Sequence, residues 1–395
     1  MYDTFQVDAW DTDIRPLEAI LEEANNNIAS ARKRNADPRY QIQLAETAEF
    51  MLDVYEGKRP VRLLVEALST SDFPILFGDV LQAQILGNYA ETPMSWQMYI
   101  GRVTVNDFRT QRLVALDGME QPFFPSWKKA ELETVKEDNQ LTETGYTFNL
   151  AVYEKGFSIS WQTIINDSLD AFRSLPNRLA RGARRTEQKF ASSLYQDSSG
   201  PNSTFFSNGN TNLVNTTNGA ASNNPVLSVQ GVTDALNVMY RMKDSGGDPI
   251  FIDGGTLVVP PALAITAEQI LGATSFSFNP GVTSGASLNT PNWIGPKLKL
   301  AVDWYAPVIN TTNGHTAWYI FANPQARPAA TLAFLRGYEQ PAVYRKAPNT
   351  ERLGGGMAPD LGDFEDMSQR YKGLHILGGT LVDPKAAVVS NGTGS

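Results

Sequence analysis

Two histidines, His315 and His375, are the natural first candidates for chemistry, because imidazole is the side chain best suited to move a proton near neutral pH. They stand 60 positions apart in the chain. His315 follows Asn313-Gly314 in a turn sequence, whereas His375 sits in the alternating run KGLHILGGTLVD. No Gly-x-Ser-x-Gly elbow or comparable nucleophile signature accompanies either, so neither is assigned a general-base role. Asp360, Asp363, Glu365 and Asp366 gather oxygens that suit a divalent cation. Their spacing is not that of a calcium loop, and the stretch reads as a solvated acidic loop. Gly354-Gly355-Gly356 lacks the Gly-Lys-Ser/Thr ending of a phosphate loop and reads as a flexible turn. Cysteine is absent, which removes disulfides, thiol catalysis and thiolate metal sites together. The sequence thus assigns no catalytic residue, no metal site and no cofactor.

Charge argues in the same direction. The 395-residue chain has a formal net charge of -9, with 42% hydrophobic and 19% charged residues. Proteins that grip nucleic acid by its phosphates usually carry a basic excess. The N-terminal stretch MYDTFQVDAWDTDIRPLEAI is acidic and lacks the apolar run of a secretory signal. No segment reaches the roughly 18 apolar residues of a membrane span. Glycosylation-type triplets at Asn202, Asn215, Asn310 and Asn391 then read as turn-rich polar loops, and synthesis in a bacterial cytoplasm is expected.

The elements that carry these residues are mixed. Residues 15–57 read as helical, from Leu17, Ile20 and Leu21 and from Leu44, Phe50, Met51 and Val54, with a break at Asn35-Ala36-Asp37-Pro38. A further apolar stretch covers 61–90. From Arg102 the period changes to alternation: RVTVNDFRTQRLVALDG and GYTFNLAVYEKGFSISW predict two long strands. Between them, Gly118 to Thr142 forms a long exposed connection, and long connections are usually functional. It holds Phe123, Phe124 and Trp127, costly to leave in water, beside Lys128 and Lys129. They are expected to bury against another chain.

Pro176 predicts a helix break, followed by a helix from Asn177 to about Gln196. On it, Leu179, Ala183, Phe190 and Leu194 share one face, and Arg178, Arg181, Arg185 and Lys189 share the opposite one, with Glu187 the exception near the apolar stripe. The basic face can meet DNA phosphates, meet carboxylates of a neighbouring subunit, or stand in solvent. Residues 197–225 are Ser/Asn/Gly/Thr-rich and read as a loop or linker. An α+β module follows over 226–331, then strand-like pieces from Leu332 around a Gly/Asp-rich loop.

This order of elements resembles the tailed-bacteriophage major capsid protein family with the Hong Kong 97-type shell fold, closest to the Mu-type major head subunit and relatives in actinobacterial phages. The resembling residues are Thr70-Ser71-Asp72-Phe73-Pro74, Val105-Asn106-Asp107-Phe108-Arg109, Phe157-Ser158-Ile159-Ser160-Trp161 leading into Ile164-Ile165-Asn166-Asp167-Ser168, the run from Phe334 to Pro341, and Gly378 to Pro384. The resemblance implies an α+β fold with an N-terminal arm over 1–65 and a segment over 66–101 that enters the peripheral domain. It further implies an extended E-loop hairpin over 102–160, a peripheral domain with a long spine helix and linker over 161–225, an axial domain over 226–331, and a return to the peripheral domain over 332–395.

It also implies a function: self-assembly into hexamers and pentamers that form the icosahedral head around double-stranded DNA. The implied partners are other copies of the chain, portal and scaffold proteins, decoration proteins where a phage has them, and packaged DNA on the inner face without sequence-specific contact. No membrane and no enzyme activity are implied. Some relatives link a loop lysine covalently to an asparagine; Lys128, Lys129 and Lys136 lie in the loop, but no motif assigns such a bond here. Two other classes compete. A polysaccharide hydrolase needs two strand-borne acids facing a groove of tryptophans, whereas the acids here fall mostly in helices and loops. A phage tail or adhesin protein favours regular strand-rich repeats over a long helix.

Overall fold

The computed structural model of the chain describes residues 94–117, 142–160, 169–244, 254–278, 288–346 and 368–394, with isolated positions at 46, 49, 50, 53, 58, 86, 89, 247, 249–252, 363 and 365. The helices expected over 15–57 and the apolar stretch 61–90 fall almost entirely outside the described residues, as does the connection 118–141.

Four strands come first: β1 (Gly101–Val105), β2 (Gln111–Asp117), β3 (Thr142–Phe148) and β4 (Leu150–Ser160). The long helix α1 (Leu169–Tyr195) follows, then the short strands β5 (Gln196–Asp197) and β6 (Gly200–Pro201). Next are α2 (Val229–Tyr240), β7 (Gly255–Val259), α3 (Ala264–Gly272), β8 (Ser275–Phe278), β9 (Leu288–Pro291) and β10 (Leu298–Val302). The short helix α4 (Ala306–Ile309) leads to β11 (Trp318–Ala322), β12 (Ala330–Leu335), β13 (Ala342–Arg345), β14 (Ser368–Leu381) and β15 (Ala387–Ser390).

Two sequence expectations change. The single strand expected from Arg102 to Gly118 is two, because the chain bends at residues 106–109. Asp107 makes the bend: its Oδ1 accepts from the backbone N–H of Arg109 and from Nε2 of Gln111, the local bonding that favours Asp in turns. The break expected at Pro176 does not occur, and α1 runs continuously from Leu169 to Tyr195. An interior proline forfeits one helical hydrogen bond, costing about 3 kcal/mol. The buried residues along the helix from Ala180 to Tyr195 offset it.

The chain divides into two compact units. The first draws on Met1–Pro93, Val152–Arg184 and Gly337–Ile376. Its described core is small: Tyr89 and Ala180, with Leu179, Ala183 and Val343 packed against them. Here β13 pairs antiparallel with β14, Ala342 opposite Leu374 and Arg345 opposite Tyr371. Phe157 stacks on Tyr371 with ring centroids 5.3 Å apart. Arg184 lies over the Tyr89 ring at 3.6 Å and donates Nε to the Tyr89 carbonyl at 2.8 Å.

The second unit draws on Met94–Ala151, Arg185–Arg336 and Leu377–Ser395 and holds a far larger core. Its four-stranded sheet has the order β10-β7-β11-β15. β10 and β7 run parallel, and β11 is antiparallel to both β7 and β15. Every residue of β11 and of β15 is buried, as are Thr256 to Val259 of β7. Such uninterrupted buried runs mark strands covered on both faces. On α2, Val232, Ala235, Leu236, Val238 and Met239 are buried.

Ser228 caps α2, its hydroxyl accepting the N–H of Gly231. In the same unit β12 pairs parallel with β1 and antiparallel with the last part of β14. Gly379 of β14 matters here. A Cβ would meet the Thr331 carbonyl oxygen at 2.6 Å, with Phe190 and Leu194 of α1 at 3.2 and 3.3 Å, so glycine is what lets the helix lie this close. The last strand does not stay with the strand pieces from Leu332 onward; Ala387–Phe321 and Ser390–Trp318 pairing carries it into the four-stranded sheet.

Candidate intersubunit surfaces

The long helix shows how burial and charge divide. Arg178, Arg181, Arg185 and Lys189, three, four and four residues apart, are all exposed. None of the four makes an ion pair among the described residues. The opposite side departs from expectation. Leu179, Ala183, Phe190 and Leu194 are only half-buried. The buried positions are Ala180, Arg184, Glu187, Gln188, Ala191, Ser192 and Tyr195, most of them carrying a polar group.

A buried polar stripe persists only if every group is hydrogen-bonded. In the second unit these groups are. Glu187 Oε2 accepts from the Trp96 indole N–H at 3.3 Å, and Gln188 Oε1 accepts from the Trp96 backbone N–H and the Ser95 hydroxyl, each at 3.1 Å. The network converges on Asp303. Its carboxylate accepts from Tyr195 Oη at 2.5 Å, Ser192 Oγ at 2.8 Å, the Tyr305 N–H at 2.9 Å and Gln196 Nε2 at 3.1 Å. Burial pushes the Asp303 carboxyl above the ordinary aspartate range, while these donors pull the other way.

Burial, reinforced by the Asp303 charge, also holds the Tyr99, Tyr195 and Tyr319 phenols well above their usual range. The phenols therefore stay protonated. The bonds then run one way, from Gln188 Nε2 to Tyr99 Oη at 3.2 Å, from Tyr99 to Tyr195 at 3.4 Å, and on to Asp303. This network is structural: it fixes α1 on the sheet of the second unit. Sequence reading marked Glu187 as an exception but had no signal for Asp303, whose partners lie more than 100 positions earlier.

The other candidates separate. His375 is buried in β14, edge-on to Tyr89 at 6.1 Å, while His315 is exposed in its turn. Asp363 departs from the expected solvated loop: it is buried and pairs with Lys346 at 2.6 Å and Arg370 at 3.6 Å. Two cations satisfy a buried carboxylate better than water reaching it through the loop. Glu365 is exposed, and Asp360, Asp366 and the triple glycine lie outside the described residues. Among the described residues no three His, Asp or Glu gather as metal ligands, and no helix is long and apolar enough to cross a membrane. Phe123, Phe124, Trp127, Lys128 and Lys129 also lie outside the described residues.

Their supporting hairpin is described. β2 and β3 pair in full register, from Gln111 opposite Phe148 to Asp117 opposite Thr142. Phe148 is buried at the base of the hairpin, whereas Arg112, Gly145 and Thr147 are exposed. Large apolar side chains stand in solvent elsewhere on that unit: Phe251 is 96% exposed, Ile265 71%, Trp304 69% and Val308 60%. Trp304 and Val308, four residues apart around the start of α4, went unnoticed in the sequence: the strand pattern of KLKLAVDWYAP absorbed Trp304, and Val308 lies just beyond it.

The chain is an α+β subunit whose buried polar network is structural and which sets several large apolar side chains in solvent. The family model described as phage capsid protein matches residues 144–390, more than half of the chain, and the chain belongs to that family. It is a major capsid protein, which self-assembles into the shell of a bacteriophage and resides in the virion. No curated protein matches it. Among solved structures it is similar to a chain of Mycobacterium phage Che8, at 14% identity and TM-score 0.39 over 72% of this chain and 85% of that one. It is similar to the cyanophage Pam1 capsid asymmetric unit at 10% identity and TM-score 0.44, over 74% and 89% of the two chains. The procapsid of bacteriophage JBD30 gives 11% identity and TM-score 0.37, over 81% and 75%.

Proposed function

We propose that copies of this chain close into hexamers and pentamers, and that these join as the icosahedral head around the double-stranded DNA of a tailed phage. Rings of this kind use heterologous contacts, one surface of each subunit meeting a different surface of the next. Residues 1–65 act as an N-terminal arm on a neighbouring subunit. The hairpin over 102–160 is the E-loop, and its tip carries Phe123, Phe124, Trp127, Lys128 and Lys129 to the next subunit. The α1 helix is the spine of the peripheral domain, residues 226–331 gather around the symmetry axes, and Arg178, Arg181, Arg185 and Lys189 form a contact face. Portal and scaffold proteins, and decoration proteins where present, bind the assembled shell. DNA lies on the inner face without sequence-specific contact. The subunit is made in the bacterial host cytoplasm and catalyses nothing.

One observation carries this reading. The β2–β3 hairpin is paired along its whole length, and among its described side chains Phe148 alone is buried while the rest are exposed or half-buried, which supports its use as an extended arm. The test is to replace residues 118–141 with an Asn-Gly turn, which closes an antiparallel pair without strain. The expected result is a folded subunit, by circular dichroism, that no longer sediments as shells. Normal shells from the shortened protein would overturn the E-loop assignment.

A further inference from the structure

Among the described residues the exposed cations of α1 meet no carboxylate, and the chain supplies a matching anion elsewhere. Arg178, Arg181, Arg185 and Lys189 lie along one helix face, about 16 Å from end to end at ~1.5 Å rise per residue. Four like charges at this spacing repel one another when nothing faces them. Residues 1–23 contain seven carboxylates, from Asp3 to Glu23, against the single base Arg15. Six of the chain's nine net negative charges therefore fall in these 23 residues, and the remaining 372 residues are close to neutral. Phe5, Trp10 and Ile14 are interleaved with the acids, which gives the segment apolar anchors beside its charge.

We propose that the basic face of α1 is the docking site for the acidic N-terminal segment, residues 1–23, of a neighbouring copy. The inference rests on the reading of that segment as an intersubunit arm. Complementary charge selects the occupant: no other stretch of this length concentrates so much of the chain's negative charge. Each exposed pair contributes little alone, but four cations facing one acidic segment act as a set, and salt weakens the contact. An acidic protein with one basic face has a nearer polyanion than DNA in its own neighbours.

Charge-reversed subunits test the pairing in the full-length chain. Variant one carries Arg181→Glu and Arg185→Glu; variant two carries Asp8→Lys, Asp11→Lys and Asp13→Lys. Both should keep the circular dichroism of the wild type, because all five positions lie on the exposed face or in the arm. Assembly is read by sedimentation in the absence of DNA, in parallel with wild-type protein. Each variant alone should lower the assembled fraction by at least about tenfold, the summed effect of several exposed pairs. Mixing the two should raise the assembled fraction several-fold over either variant alone and place both in the same particles, because the reversed face of variant one then finds the reversed arm of variant two.

Rescue in a single chain carrying all five changes, without rescue in the mixture, would place the arm on its own subunit and overturn the proposal. Loss without any rescue would overturn direct pairing. Normal empty shells from variant one that fill poorly with DNA would make the face a DNA contact, and normal assembly and filling would leave it solvated; both outcomes overturn the proposal. Failure of wild-type protein to form shells under any condition would instead sink the shell reading itself.

Discussion

Two antiparallel strand pairs of this chain live in opposite surroundings. β7 and β11 pair in the middle of the four-stranded sheet, and nearly every side chain on both strands is buried. β2 and β3 form the longer ladder, yet their described side chains are mostly exposed or half-buried. Backbone bonding is the same in both, so ladder bonds cannot be what distinguishes them. What differs is side-chain burial: Tyr319, Ile320 and Phe321 are all buried, whereas among the described hairpin residues only Phe148 is. One pair holds the subunit together, and the other adds little to its core, which fits the role proposed for the hairpin between subunits. Under the proposed E-loop role, stability of the single chain and stability of the shell rest on separate strands.

The contrast is sharpest at Phe321. Its ring is fully buried against Tyr99 at 5.1 Å and Tyr195 at 5.2 Å. Phe321→Ala should cost about 3–5 kcal/mol, the usual loss on truncating a core phenylalanine. Urea unfolding of the isolated subunit measures it, and a loss below about 1 kcal/mol would mean that the sheet is not the subunit's keystone.

The next effect is smaller and depends on pH. Asp303→Asn replaces an acceptor-only group by one that brings its own donors into a ring of donors, and should destabilise by about 1–3 kcal/mol at pH 7. Burial raises the Asp303 pKa in the folded state, so the charged form is disfavoured there relative to the unfolded chain. Its pH-linked contribution is therefore fully present below the ordinary aspartate value of about 3.9 and is lost as pH rises through the higher folded value. The gap between wild type and Asp303→Asn should thus widen as pH falls through that window. A gap that narrows on acidification would contradict the assigned direction.

The smallest effect belongs to the hairpin. Thr147→Ala, on an exposed position of β3, should change subunit stability by less than about 0.5 kcal/mol. A larger loss in the same unfolding assay would show that the hairpin packs on its own subunit, and the contrast with β11 would dissolve.

Much of this architecture is legible in the amino-acid sequence, and the departures have physical causes. Helical period finds the basic face of α1, because Arg178, Arg181, Arg185 and Lys189 need only local geometry to share a side. The buried side escapes it because Gln188, Ser192 and Tyr195 are drawn inward by Asp303, more than 100 positions away, and no local pattern encodes that partner. Pro176 misleads because a local breaking preference yields to the packing of the turns that follow. The destination of β15 is hidden for a similar reason: AVVS reads as a strand, but its choice of β11 is a tertiary event. The acidic cluster misleads at Asp363, whose cations come from β14 and from the end of β13 rather than from its own loop.

The parallel pairing of β1 with β12 sets a timetable. Gly101 lies opposite Thr331, so the contact closes a loop of 230 positions. Contacts this distant along the chain form late, since the entropy of closure must be met before they stabilise anything. The β2–β3 ladder closes over a much shorter distance, and hairpins form in roughly microseconds once their strands exist. The hairpin is therefore finished first and the body that must carry it last. Under the proposed E-loop role, each newborn chain passes through an interval in which it can grasp a neighbour before it has a shape to offer in return. Crowded synthesis of a shell protein is the circumstance in which that interval matters most.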